Sequence, residues 1–212
     1  MVGYGARPTW PVPSFFVGVD LGQASDFTAI AIIQRDHDLP GAIYRVRHIE
    51  RTRGVPYPLI VDRIHSLIHT PELEAGIIYL VVDKTGVGAP VVDLLRDRNL
   101  NPISVTITGG DRPSNPGKRE WHVPKRDLMS NLLVLSQSGR LKIAADLKEA
   151  KTFLDELQNM RVKIDIRTAH DSYSAWRESA HDDLVLAVAL AAWWAENRPP
   201  VRLVVPAIFM GD

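Results

Sequence analysis

Acidic residues stand at the ends of the most apolar runs in the chain. Asp182 and Asp183 directly precede residues 184–194, eleven apolar residues that are too few to span a bilayer and that indicate a buried helix. Asp20 ends the run FFVGVD, and Asp83 ends the run IIYLVVD. Because a buried carboxylate without a partner is costly, acids in these places predict a site at which they do chemistry together.

The alternation of side chains along a strand puts Asp20 on a face that glycines leave open. In FFVGVDLG, residues two apart share a face, so that Asp20 lies with Gly18 and Gly22. Asp83 follows a short and continuously apolar run, which is the pattern of a strand buried on both faces. Ligands of open α/β sheets bind outside the carboxyl ends of parallel strands, and Asp83 is expected at such an end.

The final helix is expected to bring a third carboxylate to this place. Asp183 shares a helix face with Ala187, a small residue that lets the helix lie close to the sheet. Three converging carboxylates without a basic partner of similar reach repel one another, and a hard divalent cation, Mg²⁺ or Mn²⁺, relieves that repulsion. Asp182 points about 100° away and is expected to cap the helix or to lie outside the metal ligands. The structural alternative for Asp83 is a helix cap or a turn.

The composition is that of one globular domain with a sizeable core. The chain has 212 residues, 45% of them hydrophobic, with 25 basic and 25 acidic residues and no cysteine. Disulfides, thiolate metal sites and cysteine nucleophiles are therefore excluded, and any binding of a polyanion must depend on local basic patches. We expect a leader or linker stub over residues 1–14, the domain over residues 15–198 and an extended tail over residues 199–212, with no signal peptide or membrane span.

The order of the elements predicts an α/β fold around one mixed sheet, with helices on both faces. Three strands with short connections are expected to be antiparallel, with the first at the centre of the sheet, and helices and strands then alternate. Residues 109–121 are predicted to form a polar loop. The predicted strands are residues 14–21, 27–34, 43–49, 77–82, 103–107 and 141–143, and a hairpin of 162–167 with 172–176. The predicted helices are residues 58–69, 88–99, 124–136 and 147–159, and a final helix within 179–197.

Four segments together resemble the nuclease domain of phage terminase large subunits. They are VGVDLG, VVDKTGVG, VPKRDLM and HDDLVLAVALA, and the resemblance covers roughly residues 15–197. It implies a ribonuclease-H-like fold, which Holliday-junction resolvases share. The residues that match the metal-binding acids of the family are Asp20, Asp83, Asp182 and Asp183.

The activity that this resemblance implies is metal-dependent endonucleolytic cleavage of duplex DNA during genome packaging. Two cations, Mg²⁺ or Mn²⁺, would act on the phosphodiester, with Asp20 bridging them and with Asp83 and Asp183 each completing the shell of one ion. His181 is a metal ligand, a water-orienting residue or, as we expect, only part of the helix start. The implied partners are double-stranded DNA, an ATPase motor domain, a small terminase subunit and the portal, in the host cytoplasm if a phage encodes the chain.

Basic residues in the predicted loop and at the start of the next helix are candidates for contact with DNA phosphates. Lys125 also matches a basic position near the active site of the family. The alternative is a solvated loop whose charges have acidic neighbours. A second basic group, within residues 45–53, is interpreted as a charged, edge-like surface, with contact to DNA as its alternative. The candidate DNA-binding residues are Lys118, Arg119, Lys125 and Arg126.

Three other functions remain open at this point. A nucleotide-binding fold of the actin and sugar-kinase type also begins with a strand of the form G-x-D-x-G, but 212 residues are few for its two lobes. A resolvase specific for branched DNA would use the same acids, and a scaffold domain would keep the fold without catalysis.

The ATPase motor of a complete terminase large subunit needs a phosphate-binding loop. The segment GGDRPSNPGKR lacks the spacing of such a loop. The chain is therefore expected to be an excised domain, a fragmented gene product or a stand-alone relative that cannot power packaging alone.

Overall fold

The computed structural model describes residues 12–22, 26–35, 41–86, 88–163 and 182–198, which form eight strands and six helices. The strands are β1 (Ser14–Asp20), β2 (Phe27–Arg35), β3 (Tyr44–Arg53), β4 (Ile77–Asp83), β5 (Ile103–Thr108), β6 (Ser114–Gly117), β7 (Glu120–Pro124) and β8 (Leu141–Ile143). The helices are α1 (Tyr57–Ile68), α2 (Pro71–Glu74), α3 (Gly88–Asp97), α4 (Lys125–Gln137), α5 (Ala150–Lys163) and α6 (Asp183–Asn197). The expected tail and most of the expected leader lie outside the described residues.

All eight strands belong to one mixed sheet, in the order β6-β7-β5-β4-β1-β2-β3-β8. β1 pairs antiparallel with β2, and β2 with β3, as the short connections predict. β1 also pairs in parallel with β4, and β4 with β5, so that β1 lies in the interior of the sheet. The carboxyl ends of β1, β4 and β5 therefore meet at one edge of the sheet, and the predicted α/β fold is confirmed.

The largest departure from the prediction is in residues 109–121, which do not form one polar loop. They contain β6 and the start of β7; these two strands pair antiparallel, and β7 pairs in parallel with β5. The β6 sequence SNPG has no apolar alternation, so its pairing depends on its neighbour and not on its own pattern. The predicted hairpin of 162–167 with 172–176 is wrong in its first two residues, which belong to α5, and otherwise lies outside the described residues. The other predicted elements are present, β8 at the predicted residues and the rest with shifted ends.

The sheet separates two hydrophobic cores, in agreement with side-chain alternation along β1. Phe16 contributes to the core under α4, α5 and α6, whereas Val17 and Val19 contribute to the core under α1 and α3. Residues 184–192 of α6 are all buried, as their apolar run predicts. Within the part of the chain that the structure describes, no helix is long and apolar enough to cross a membrane.

Gly18 lets α6 lie directly against β1. A Cβ atom at Gly18 would come 2.0 Å from the carbonyl oxygen of Ala187 and 3.0 Å from the Cβ atom of Ala191. The small residues of both elements therefore permit this close approach, as the glycine-thinned face of the sequence predicts. Because Asp183 lies one turn before Ala187, the same contact places the start of α6 near the end of β1.

Gly18→Ala is expected to lower the free energy of unfolding by about 1–3 kcal/mol, because the new methyl group overlaps the backbone of α6 and the helix must move. Chemical denaturation measures this change. Gly110→Ala is the matched control, because its Cβ would meet only the Thr108 hydroxyl, at 3.5 Å. Equal effects of the two substitutions would contradict the close packing of α6 on β1.

Candidate active site

The ends of two neighbouring parallel strands bring Asp20 and Asp83 together. Val19 of β1 is paired with Val82 of β4, and each aspartate is the next residue of its strand. Neighbouring strands lie about 4.7–4.9 Å apart. By the alternation of side chains, both aspartates face the side of the sheet that α6 covers. The two acids therefore lie at the carboxyl edge of the sheet, where the sequence predicts them.

The loop after β4 holds Asp83 in place. Asp83 is 8% exposed, and its Oδ1 atom accepts a hydrogen bond from the backbone N–H of Thr85 at 2.7 Å. The Thr85 hydroxyl in turn accepts a hydrogen bond from the N–H of Ile107 on β5 at 2.8 Å. Gly88 begins α3 against this strand end, since a Cβ there would lie 2.3 Å from the Asp83 carbonyl oxygen. Asp83 thus forms the turn considered as its structural alternative, and that turn fixes the orientation of its carboxylate.

The start of α6 carries Asp182 and Asp183 to the same edge. Asp182 is the N-cap residue of α6, and Asp183 is its first residue, one turn before the Ala187 that packs on β1. Both lie close enough to Asp20 to raise its pKa by repulsion, as does Asp83. The structure therefore brings the other three predicted acids within electrostatic reach of Asp20.

Burial opposes the ionisation of Asp20 and Asp83, and at Asp20 repulsion by the neighbouring acids adds to it. The pKa of Asp20 is raised well above its usual value, first by burial and then by the charges of the other three acids. Burial also raises the pKa of Asp83, although its turn hydrogen bonds act in the opposite direction. The positive charge of Lys125 lowers the pKa of both residues.

Lys125, the first residue of α4, places a basic group among these acids. Its Nζ atom lies 2.8 Å from Oδ2 of Asp182. The expectation that the carboxylates converge without a basic partner is therefore wrong, and Lys125 lies beside the acids, as the resemblance implies. The reason is tertiary, because β7 runs beside β5 and ends, where α4 begins, at the same edge of the sheet as Asp83. The two partners are 57 residues apart in the sequence, so no local pattern reveals the contact.

Glu156 of α5, and not Asp182, caps the start of α6. The side chain of Asp182 makes no capping hydrogen bond. Oε2 of Glu156 instead accepts hydrogen bonds from the backbone N–H groups of Leu184, at 3.1 Å, and Val185, at 3.2 Å. The capping role expected for Asp182 is wrong, because a carboxylate from another helix satisfies these N–H groups of the first turn. A place outside the metal ligands stays a prediction for Asp182.

Sequence analysis missed Glu156 as a buried carboxylate near the site. It is 7% exposed, and Oε1 faces the guanidinium of Arg51 on β3 at 3.5 Å. Its pKa is raised to about 7, first by burial and also by the charge of Asp183, against the hydrogen bonds that it accepts and against Arg51. The signal in the sequence is that Glu156 interrupts the buried stripe of α5. That stripe consists of Phe153, Leu157 and Met160.

The four candidate DNA-binding residues lie at two ends of β7. Lys118 and Arg119 directly precede the strand, and the Arg119 side chain donates a hydrogen bond to the carbonyl oxygen of Pro102 at 3.4 Å. Lys125 and Arg126 directly follow the strand, at the edge that carries the acids. The four residues therefore form two separate pairs and not one cluster, because β7 lies between them.

The second basic group lies on β3, beside the short strand β8 that ends the sheet. β8 pairs with β3 over three residues, so that much of β3 has a single strand partner among the described residues. Arg51 of this group lies 3.6 Å from Glu149, and its guanidinium carbon is 4.6 Å from the ring centroid of Phe27. These contacts within the protein support the interpretation of a charged, edge-like surface.

The donor chemistry of the acidic edge fits a hard divalent cation. The candidate ligands are carboxylate oxygens, and the repulsion that raises the pKa of Asp20 is the kind of charge that a cation neutralises. Within the described ranges, no group of three His, Cys, Asp or Glu side chains is arranged to hold a metal ion as it stands. The fit is therefore one of charge and of ligand type. His181 lies outside the described residues.

Comparison with known proteins shows the family and the fold. The family model of the terminase RNaseH-like domain matches residues 17–192, and no curated protein matches the chain. The solved large terminase nuclease from thermophilic phage G20c is 23% identical, with a TM-score of 0.55 over 87% of this chain and 82% of that one. The human cytomegalovirus terminase nuclease domain, soaked with manganese and bound to an inhibitor, is 14% identical, with a TM-score of 0.57 over 87% and 83%. At these identities the two structures show a shared fold.

The matched region contains the whole acidic edge. Residues 17–192 include the four aspartates, Lys125, which binds Asp182, and Glu156, which caps α6. The resemblance to terminase nuclease domains and the ribonuclease-H-like fold are confirmed, and both the family and the fold are those of nucleases. The chain belongs to the terminase RNaseH-like domain family.

Proposed function

We propose that the chain is a metal-dependent endonuclease that cleaves duplex DNA. The observation that carries the proposal is the convergence of Asp20, Asp83 and Asp183 at one edge of the sheet, in a member of a nuclease family. Half-buried and buried acids that repel Asp20 cost stability, and such a cost is typical of a functional site. It therefore supports catalysis over a purely scaffolding role.

The three acids are the residues proposed to hold two divalent cations, Mg²⁺ or Mn²⁺. Asp20 is within electrostatic reach of both Asp83 and Asp183, so Asp20 would help to hold both ions, and Asp83 and Asp183 would each help to hold one. When bound, the cations stabilise charge on the entering and leaving oxygens and make water a stronger nucleophile. The manganese named for the cytomegalovirus nuclease domain supports this class of ion.

Lys125 is proposed to prepare the acidic edge for a phosphate. Its charge favours the ionised forms of Asp20 and Asp83, and its Nζ atom holds Asp182 at 2.8 Å. A phosphate that approaches several carboxylates needs a compensating positive charge close by. Lys125, together with the neighbouring Arg126, supplies that charge at the edge where cleavage is proposed.

Lys118 and Arg119 are proposed to contact a second part of the same duplex. Lys125 lies six positions after Arg119, and a strand rises by roughly 3.3 Å per residue, so that these two residues are about 20 Å apart. With phosphates about 3.4 Å apart along one strand of DNA, this distance corresponds to about six nucleotides. Lys118 and Arg119 would therefore contact the duplex about six nucleotides from the cleavage point beside which Lys125 lies.

The proposed partners follow from the family. Terminase nuclease domains act on DNA within a terminase complex, so we propose double-stranded DNA, an ATPase motor domain, a small terminase subunit and the portal as partners of this chain. The nuclease domain is proposed to span residues 15–198, with a linker before it and a tail after it.

Supercoiled plasmid is expected to be nicked and then linearised by the purified chain in Mn²⁺ or Mg²⁺, with little base specificity, and to stay intact in EDTA. Agarose gel electrophoresis separates the three plasmid forms. Inertness with both metals over a broad pH range would refute the proposal and favour a scaffold. Preferential cutting of a four-way junction over plasmid would instead favour a resolvase.

A further inference from the structure

The buried side chain of Glu156 holds the first turn of α6 from outside the helix. Its Oε2 atom accepts a hydrogen bond from the N–H of Leu184 at 3.1 Å and another from the N–H of Val185 at 3.2 Å. These N–H groups have no partner within their own helix, because they belong to its first turn. Asp183 directly precedes them in the chain, so the contact that restrains them also restrains the direction of the Asp183 side chain.

The cap from Glu156 leaves the Asp182 carboxylate available to the acidic edge. A Ser, Thr, Asn or Asp at the N-cap position ordinarily turns its side chain onto the N–H groups of its own helix. Asp182 makes no such bond, and its Oδ2 atom lies 2.8 Å from the Nζ atom of Lys125. Both members of the Asp182–Asp183 pair can therefore face the site, because a third carboxylate does the capping.

Glu156 is itself held in one orientation. Oε1 lies 3.5 Å from Nη1 of Arg51, whose Nε atom lies 3.6 Å from Glu149. The ring of Phe27 stacks under the same guanidinium. One oxygen of Glu156 is thus engaged with α6 and the other faces β3, and the residue is buried. A carboxylate used in this way is suited to orient a neighbour and not to bind a metal directly.

We infer that Glu156 is a positioning residue for the proposed metal site, acting through the first turn of α6 on the Asp182–Asp183 pair. This inference rests on the proposed function. The reach of the side chain is what matters, because its oxygen must touch two N–H groups at once. Gln keeps an acceptor oxygen at the same reach without the charge, whereas Asp keeps the charge and is one methylene group shorter.

Glu156→Gln and Glu156→Asp therefore separate reach from charge. Isothermal titration calorimetry of the full chain with Mn²⁺ measures the dissociation constant, and circular dichroism verifies the fold. Glu156→Asp is expected to weaken Mn²⁺ binding by about 10–100-fold, the size typical of residues that orient metal ligands. Glu156→Gln is expected to retain most of the affinity. The reverse order would identify Glu156 as a ligand or a charge contributor and would overturn the inference.

Two further variants exclude a general effect of lower stability. Ile64→Val loosens the core on the opposite face of the sheet and is expected to leave Mn²⁺ affinity unchanged. Arg51→Gln removes the anchor of Glu156 and is expected to weaken binding in the same direction as Glu156→Asp. If the unsubstituted chain binds no Mn²⁺, both the proposed function and this inference are refuted. If the unsubstituted chain binds and Glu156→Asp binds equally well, the inference alone fails.

Discussion

Asp20→Asn is expected to abolish DNA cleavage and at the same time to raise the melting temperature of the metal-free protein. Burial, followed by the charges of the neighbouring acids, raises the pKa of Asp20, so that ionising this carboxylate costs free energy of folding. Asn is neutral and nearly the same shape, and it removes that cost together with the proposed bridging ligand. Each kcal/mol gained raises the melting temperature of a chain of this length by about 2–4 °C.

The stability effect of Asp20→Asn has a definite dependence on pH. Because the pKa of Asp20 is higher in the folded than in the unfolded state, the folded protein binds more protons and loses stability as the pH rises above the ordinary value, about 3.9. The difference in melting temperature should therefore be small in acid and should grow towards neutral pH. Calorimetry in EDTA measures it, with Asp146→Asn as an exposed control. A fall of many degrees on Asp20→Asn would instead make Asp20 a structural hydrogen-bond acceptor.

The acids at strand ends could be predicted because their signal is local. A strand buried on both faces is a continuous apolar run, and a charged residue that ends such a run is visible without any knowledge of the fold. Asp20 and Asp83 both satisfy this pattern, and the register that pairs Val19 with Val82 brings them side by side. The close approach of α6 could also be predicted, since it needs only small residues such as Gly18 at matching periods.

The missed contacts all depend on which distant elements become neighbours. The β6–β7 hairpin has no apolar pattern of its own and exists because β7 adds to β5. Lys125 reaches Asp182 across 57 residues, and Glu156 reaches Leu184 across 28. The spacing of residues in the sequence does not show which distant side chains meet. The sequence therefore predicts the neighbouring Asp182, and not the distant Glu156, as the cap of α6. Only the interruption of the α5 stripe by Glu156 pointed to the right residue.

Asp183→Ala is expected to eliminate cleavage with near-normal folding, whereas Asp182→Ala should leave measurable activity. Asp183 shares the helix face of Ala187, which packs on β1. The substitution of Asp183 also removes a charge that raises the pKa of Glu156. Asp182 is not the cap of α6, so its removal should not cost the stability that a lost cap would cost. Its carboxylate is 40% exposed and pairs with Lys125, and such ion pairs contribute about 0–1 kcal/mol.

Plasmid cleavage and thermal unfolding of the two variants, measured together, decide between the members of the pair. Asp183 is the first residue of α6, whereas Asp182 is the N-cap residue before it, so different backbone conformations place the two carboxylates. If Asp182→Ala is inactive and Asp183→Ala still cuts, Asp182 is the ligand, and its bond to Lys125 must open when metal binds. A loss of stability by Asp182→Ala of about 2 kcal/mol, more than the ion pair with Lys125 supplies, would restore its role as a cap and would contradict the role of Glu156.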